Sequence, residues 1–411
     1  MSKIYIVSQF TSKFDEYNPN RYGYIWGELS KEWDTNFITS SFDHVKKREK
    51  IKTKNQKVQY VYEPGYKSNK SIRRVLSHLI FSFQVFLLLL LYTKKNDVLI
   101  IAIPSNALGF FGTLIKQAKG CYLILDIHDT WPESLMPLMV FRNFFLSVML
   151  KLWALLRNYA IARCDFLTGE SEEYVRDFMY LLPKNAKAYS ILLGLETERI
   201  EKIKPFYPVN KEKINIVFAG TIGINYDLDT VVGMIQKYGE SLSKRIDFHF
   251  WGEGERLIWL KNEIGNNENV YFEDRVSYKE YIARLKGMDI GLNSFIKRTN
   301  VKYSYKSTDY LACGVAVLNS LSGSFGDDVM QYNLGLNYVP GSTDSLYLKL
   351  TIMVEKLLKN RSCYKKDIAK YVNANLERKN IYKPLFSYIR SLNLDGYNFH
   401  NYSKCIKSES D

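Results

Sequence analysis

Ser304-Tyr-Lys-Ser-Thr-Asp-Tyr-Leu-Ala-Cys-Gly314, followed by Val315-Ala-Val-Leu318, sets a short helix in front of a buried strand. Lys306 and Asp309 are three residues apart, which puts an ammonium and a carboxylate on one helical face. Gly314 supplies the turn that ends the helix, where a residue without a β-carbon fits best. Such a face can hold a nucleotide, with the ammonium toward a diphosphate and the carboxylate toward ribose hydroxyls. On a solvated surface the same pair is worth only about 0.2–0.5 kcal/mol. The functional reading therefore depends on the segments around it.

Outward from this unit, strand-like runs alternate with longer amphipathic segments through all 411 residues. The first half has such runs at 3–8, 35–40, 58–62, 98–103, 122–127 and 166–168. The second half restarts the rhythm at 215–219, 247–251, 270–272, 290–293, 315–319 and 335–338. This alternation predicts an α/β protein with parallel sheets covered by helices. Between the halves, Glu201-Lys-Ile-Lys-Pro-Phe-Tyr-Pro-Val-Asn210 is polar, holds two prolines and reads as a linker. The expectation is two Rossmann-like, doubly wound domains with a cleft at the carboxyl ends of their strands. The first spans 1–205 and the second 206–380. A C-terminal segment, 381–411, returns to the first domain and ends in a polar, frayed tail.

Composition narrows the function classes. Five cysteines lie far apart with no CxxC pair, so neither a disulfide framework nor a zinc site is suggested, and a reducing, cytoplasmic setting is expected. Met1 leads directly into an apolar run with no cleavage site after it. The formal charge is +14, and residues 1–130 carry 19 Lys/Arg against 11 Asp/Glu. Aromatic residues are not interleaved with the basic ones, so the excess suits anionic lipid or phosphorylated substrates better than nucleic acid. The run at 75–92, VLSHLIFSFQVFLLLLLY, is at the short limit for a membrane span and is interrupted by His78 and Gln84. It is expected to be a core helix. The aromatic, basic, amphipathic stretch at 135–162 suits a membrane interface, so peripheral attachment to the inner face of the plasma membrane is expected.

Two further segments have the make-up of a site. Phe218-Ala-Gly-Thr-Ile-Gly-Ile-Asn-Tyr-Asp-Leu-Asp229 links a strand to a helix. Gly220 and Gly223 let the backbone approach a ligand, Thr221 offers a hydroxyl, and a helix amino terminus favours an anion. Leu125-Asp-Ile-His-Asp-Thr-Trp-Pro-Glu-Ser134 leaves a buried strand and places His128 and Asp129 at its mouth. Either residue can orient a sugar or take a proton there. Equally, Asp129 can cap the following turn with His128 packed beneath it.

The 304–318 segment resembles the donor-binding segment of GT-B glycosyltransferases of the family-4 type, whose pattern is roughly Pro-x-Lys-x-x-Glu-Tyr-x-Ala-x-Gly-x-Pro-Val-Ile. Ser304 stands for the proline, Asp309 for the glutamate and Ala316 for the second proline. The 125–134 segment is similar to the Asp-x-Arg-Asp-x-Trp-Pro-Glu signature of bacterial cell-surface polysaccharide enzymes in that superfamily, with His128 at the arginine position. The resemblance extends from the first strand to about residue 340. It implies a GT-B enzyme that moves a sugar from a UDP- or GDP-linked donor, with no other cofactor, to a cell-surface glycan or polyprenyl-diphosphate-linked acceptor. It further implies retention of configuration and no metal, since no Asp-x-Asp motif stands in a donor position. Gly220, Thr221, Gly223, Gly252, Arg275, Lys302, Lys306, Asp309, Gly323 and Ser324 would bind the donor. Arg21, Tyr22 and Gly23, in Asn18-Pro-Asn-Arg-Tyr-Gly23, would meet the acceptor and its phosphate. His128, Asp129 and Lys306 would act at the reacting centre, Lys306 drawing off the diphosphate with help from Arg298 or Lys302.

The chain departs from the family in two places. Asn225, Tyr226 and Asp227 stand where many members carry an Arg and a Lys for the phosphates, and Val301 stands where the first acid of a carboxylate pair would be. These losses give footing to a second reading, a catalytically inactive GT-B scaffold that binds a partner or a membrane. A sugar-nucleotide epimerase fits less well because the first domain is not rich in carboxylates. A dehydrogenase is disfavoured because Ser8-Gln-Phe-Thr-Ser-Lys follows the first strand in place of a glycine fingerprint.

Overall fold

The computed structural model describes residues 2–11, 20–52, 55–68, 71–134, 136, 144–206, 209–392 and 394. Seven strands form the first sheet: β1 (Lys3–Val7), β2 (Asp34–Ser40), β3 (Val58–Val61), β4 (Val98–Ile103), β5 (Tyr122–Ile127), β6 (Phe166–Gly169) and β7 (Lys187–Ser190). Six form the second: β8 (Ile214–Ala219), β9 (Ile246–Trp251), β10 (Val270–Glu273), β11 (Ile290–Asn293), β12 (Ala316–Asn319) and β13 (Gly335–Asn337). All neighbours within both sheets are parallel. The orders are β3-β2-β1-β4-β5-β6-β7 and β10-β9-β8-β11-β12-β13. Each contains the doubly wound order 3-2-1-4-5-6, whose switch point lies between the first and fourth strands.

The central strands are buried along their whole length, as apolar runs such as Val98-Leu-Ile-Ile-Ala-Ile103 require when helices cover both faces. The run at 75–92 lies within the helix Ile72–Tyr92, capped by Ser71, whose hydroxyl accepts from Arg74 N–H. This corrects the core-helix expectation. Phe81, Val85 and Leu89 pack inward, while Leu76, Leu79, Ile80, Phe83 and Leu87 are exposed. The helix Asn106–Lys119 separates it from Phe144–Ile161, with Phe86 stacked on Phe111 and Phe110 against Tyr159. Phe144–Ile161 likewise exposes Phe144, Val148, Met149, Leu152 and Leu155.

The chain crosses between the domains twice. After β7 it runs alongside the returning segment, where Leu195 N–H donates to Leu376 O and Arg378 N–H to Leu195 O. The helix Lys383–Ser391 then packs Leu385, Phe386 and Ile389 with Ile4, Ile6, Tyr22, Phe37 and Ile100 of the first domain. The tail 395–411 lies outside the described residues.

Candidate active site

The helix Tyr305–Ala312 is fixed at both ends and along its inner face. Ser304 caps it by accepting from Ser307 N–H, and its hydroxyl donates to Asn293 Oδ1 at the end of β11, 2.8 Å away. Tyr310 lies flat on β11. A β-carbon at Gly291 would come within 2.2 Å of its ring, so only glycine admits it. The Tyr310 hydroxyl accepts from Ala219 N–H, the last residue of β8. Gly314, at φ 72°, closes the helix in the left-handed conformation. Lys306, one turn before Tyr310, is thereby aimed at the loop after β8.

That loop and the helix bound a cavity of about 570 Å³. Gly220, Thr221, Gly252, Arg275, Lys306 and Asp309 line it, together with Trp251, Tyr278, Tyr281, Tyr305 and, from the first domain, Val45. Gly252 is needed where two loops touch: a β-carbon there would lie 2.1 Å from Gly220 O. Gly220 N–H donates to Trp251 O and Ile222 N–H to Glu253 O, which continue the ladder past the sheet edge.

Lys306 is 8 % exposed, and its Nζ has no hydrogen-bond partner. It sits over the rings of Phe218 and Tyr226, 3.9 and 3.7 Å from their centroids, with Phe295 at 5.2 Å. Burial pushes its pKa well below the usual lysine value. The rings stabilise a cation only in part. Tyr226, one of the three residues that stand where many family members carry an Arg and a Lys, thus forms part of the seat of Lys306. Burial also raises the Asp309 carboxyl to about 7, against the Tyr278 hydroxyl that donates to its Oδ1 at 2.7 Å.

A second cavity of about 280 Å³ lies between the domains. His128, Asp129, Trp131, Glu170 and Tyr174 line it from one side, and Asn225, Arg298, Asn300 and Tyr303 from the other. His128 Nε2 lies 3.1 Å from Asp126 Oδ2 and 2.7 Å from the Tyr22 hydroxyl, and Nδ1 meets Glu170 Oε1. Burial alone would discourage its charge, but Glu170 and Asp126 outweigh burial and raise it to about 9. His128 is therefore a cation at neutral pH with both ring nitrogens engaged. Neither nitrogen is free to take a proton or to bond a substrate group, so both expected roles of His128 are corrected to that of a fixed charge at the cavity wall. Asp129 Oδ1 accepts from Thr130 N–H and Oδ2 from Trp131 Nε1–H, so it caps the turn while lining the cavity.

Arg21 also requires correction. It is 1 % exposed, makes two bonds to Asp126 at 2.7 and 2.8 Å, and donates to Ile191 O and Leu192 O. A guanidinium buried in this way holds the Asp126 carboxylate in place and does not reach an acceptor. Tyr22 donates to the same carboxylate at 2.9 Å, and Gly23 N–H bonds the capping Asn20 side chain. Arg21 and Tyr22 thus serve the support beneath His128, and Gly23 serves the cap of its own helix. Asn18 and Pro19 lie outside the described residues.

Other expected donor residues lie elsewhere. Gly223 sits beside Glu255 and does not line the cavity. Lys302 is half-buried and lines neither cavity, whereas Arg298 lines the smaller one. The helix Leu228–Leu242 does not offer a bare amino terminus, because Asp227 and Asp229 stand there and Asp229 is paired with Arg256. Ser324 N–H and its hydroxyl donate to Glu173 of the first domain at 2.7 and 2.8 Å. A carboxylate suits the start of the helix Ser324–Gln331. The 323–324 loop is therefore an interdomain contact here, not a cradle for a transferred group. Residues missed in the sequence are Phe218, Phe295 and Tyr278, each brought in from a separate segment.

No protein-family model matches the chain. It is 28% identical over 164 residues to an uncharacterized glycosyltransferase of Methanocaldococcus jannaschii, covering 38% of this chain and 41% of that protein. Sucrose-phosphate synthase from Thermosynechococcus elongatus superposes with a TM-score of 0.70 at 11% identity, over 95% of this chain and 98% of that one. HepE of Anabaena in complex with UDP gives 0.66 at 11% identity, over 95% and 100%. The α,α-trehalose 6-phosphate synthase of Burkholderia multivorans gives 0.66 at 11%, over 95% and 97%. The fold is GT-B, with two Rossmann-like domains facing each other across a cleft.

Proposed function

We propose that this chain is a glycosyltransferase that moves a sugar from a nucleoside-diphosphate donor to a glycan or polyprenyl-diphosphate-linked acceptor of the cell surface. One observation carries the reading. The Lys306 amino group, whose charge burial opposes, has no hydrogen-bond partner at the wall of a cavity that Gly220, Thr221 and Asp309 also line. A buried cation with no anion is costly. A donor diphosphate at the glycine loop would supply the anion, and the ribose would meet Asp309. HepE, which shares the fold, has been seen with UDP and with UDP-glucose.

In this mechanism, cleavage of the sugar–phosphate bond builds negative charge on the leaving diphosphate, where Lys306 and the backbone amides of the loop stabilise it. Arg298 orients the acceptor in the smaller cavity, across from the charge that His128 carries. Retention of configuration, by attack on the face that the diphosphate leaves, is part of the proposal, as is independence of added divalent metal. The exposed apolar faces of Ile72–Tyr92 and Phe144–Ile161 carry exposed Arg73, Lys94, Lys95 and Lys151 near them. Apolar side chains beside cations suit an anionic lipid surface. We accordingly assign a peripheral position on the cytoplasmic face of the membrane.

The test is a panel of UDP- and GDP-sugars, read by thermal shift and by nucleotide release in the presence of lipid-linked acceptor. One nucleotide class should raise the melting temperature, and one sugar should be transferred without added Mg²⁺ or Mn²⁺. Binding without transfer across the panel would favour the inactive-scaffold reading. No response to any nucleotide would overturn the transferase reading and leave the scaffold one.

A further inference from the structure

Three polar atoms in the first domain are buried, close together and without a hydrogen-bond partner: Nε2 of His44, Nε2 of His78 and Oε2 of Glu63. The three residues are far apart in sequence. His44 lies in the turn after the short strand Phe42–Asp43, Glu63 follows β3, and His78 is on the helix Ile72–Tyr92. Their ligand atoms lie within 4.8 Å of one another. His44 Nε2 is 3.3 Å from Glu63 Oε2, and His78 Nε2 is 3.9 Å from Glu63 Oε1. A tetrahedral ion with bonds of about 2.0–2.2 Å holds its ligand atoms roughly 3.4 Å apart.

We propose that His44, Glu63 and His78 bind a divalent transition-metal ion of the zinc class. Two of the three residues are already held by neighbouring groups. His44 Nδ1 lies 3.1 Å from the Tyr66 hydroxyl, and Glu63 Oε1 accepts from Gln9 Nε2 at 3.1 Å and from the Ser77 hydroxyl at 2.8 Å. Such outer contacts fix ligand orientation in metal sites. The Glu63 side chain is fully buried, and those of His44 and His78 are 9 and 13 % exposed. The nearby cations are engaged elsewhere: Lys50 with Thr11 O and Thr39 Oγ1, Lys47 over the Tyr66 ring, and Arg74 over the Trp131 ring. Phe10 packs edge-on to both imidazoles and to Trp131, which lines the interdomain cavity. An ion here would pin the amphipathic helix to the sheet edge beside the acceptor wall, with a coordination position left for water. This site is independent of the donor cavity and of the proposed sugar transfer.

The test uses the purified full chain, stripped with a strong chelator and then titrated with Zn²⁺ and, separately, Co²⁺ or Fe²⁺. Metal content is read by mass spectrometry and Co²⁺ geometry by visible absorption. The expected result is one Zn²⁺ per chain, a tetrahedral Co²⁺ spectrum and a melting temperature raised by Zn²⁺. Glu63→Gln and His78→Gln should each weaken Zn²⁺ at least about tenfold while circular dichroism stays unchanged. If either variant fails to fold, the wild-type stoichiometry and Co²⁺ spectrum decide alone. A wild-type chain that takes up none of these ions, or folded variants that bind as tightly as wild type, would overturn the site. Tighter binding of Fe²⁺ than of Zn²⁺ would overturn the zinc-class assignment.

Discussion

Lys306 and Asp309 titrate in opposite senses, and this gives the donor cavity a pH signature. A phosphate anion beside Lys306 restores the charge that burial opposes, so binding takes up a proton in the window between its depressed pKa and the restored one. Affinity therefore falls as pH rises through that window. Asp309, at about 7 in the empty site, loses its carboxylate below that pH, and ribose binding weakens with it. The wild-type affinity profile should be bell-shaped. Asp309→Asn should remove the low-pH limb and Lys306→Ala the high-pH limb, as read by calorimetry with the responding nucleotide. Lys306→Ala should also slow transfer at least about tenfold, or about 1.4 kcal/mol in the barrier. A Lys306→Ala enzyme with normal turnover would remove this side chain from the mechanism.

His128 supports a stability prediction of the opposite kind. Its folded pKa of about 9 lies above the unfolded value of about 6.5. The stabilisation is thus complete below the unfolded value and lost as pH rises through about 9, and it is on the order of 3 kcal/mol. The melting-temperature gap between wild type and His128→Gln should narrow from pH 6 to pH 10. A gap independent of pH would mean that the imidazole is not charged. The Lys306–Asp309 face was legible in the sequence because helix spacing fixes which residues share a side. The aromatic seat of Lys306 was not, because tertiary folding alone brings Phe218, Tyr226 and Phe295 to this point. Arg21 misled for the same reason: no local pattern distinguishes a buried guanidinium bound to Asp126 from one at a surface.

At the scale of elements, apolar strands announced themselves and polar ones did not. Every strand expected from an apolar run is a strand of the two sheets, since central parallel strands are buried on both faces. Lys187–Ser190 was missed because it is an edge strand whose residues are at most half-buried. The helix Ile72–Tyr92 was misread because composition cannot tell which half of an apolar helix meets the sheet. Its outer face can be tested directly. Leu79→Ser with Phe83→Ser should reduce sedimentation with vesicles containing phosphatidylglycerol while leaving the nucleotide thermal shift unchanged. Undiminished vesicle binding would take this face out of any membrane contact.

On the scale of the whole molecule, the two domains touch through few polar contacts near the cleft. Asn300 Nδ2–H donates to Thr130 Oγ1 at 3.1 Å, and Glu173 holds Ser324. Interfaces of this kind permit hinge motion. Glu173→Gln should weaken the latch by about 1 kcal/mol, and solution scattering should show a larger radius of gyration for the nucleotide-free variant. An unchanged scattering profile would place the control of closure elsewhere.

The returning helix Lys383–Ser391 has a consequence for biosynthesis. Its Leu385, Phe386 and Ile389 complete a cluster begun by Ile4 and Ile6. The ribosome delivers these partners at opposite ends of its run, so the amino-terminal lobe must wait with an open apolar flank while the carboxyl-terminal lobe is still being made. Translation halted before residue 382 would leave that flank bare, and the nascent chain would need a chaperone.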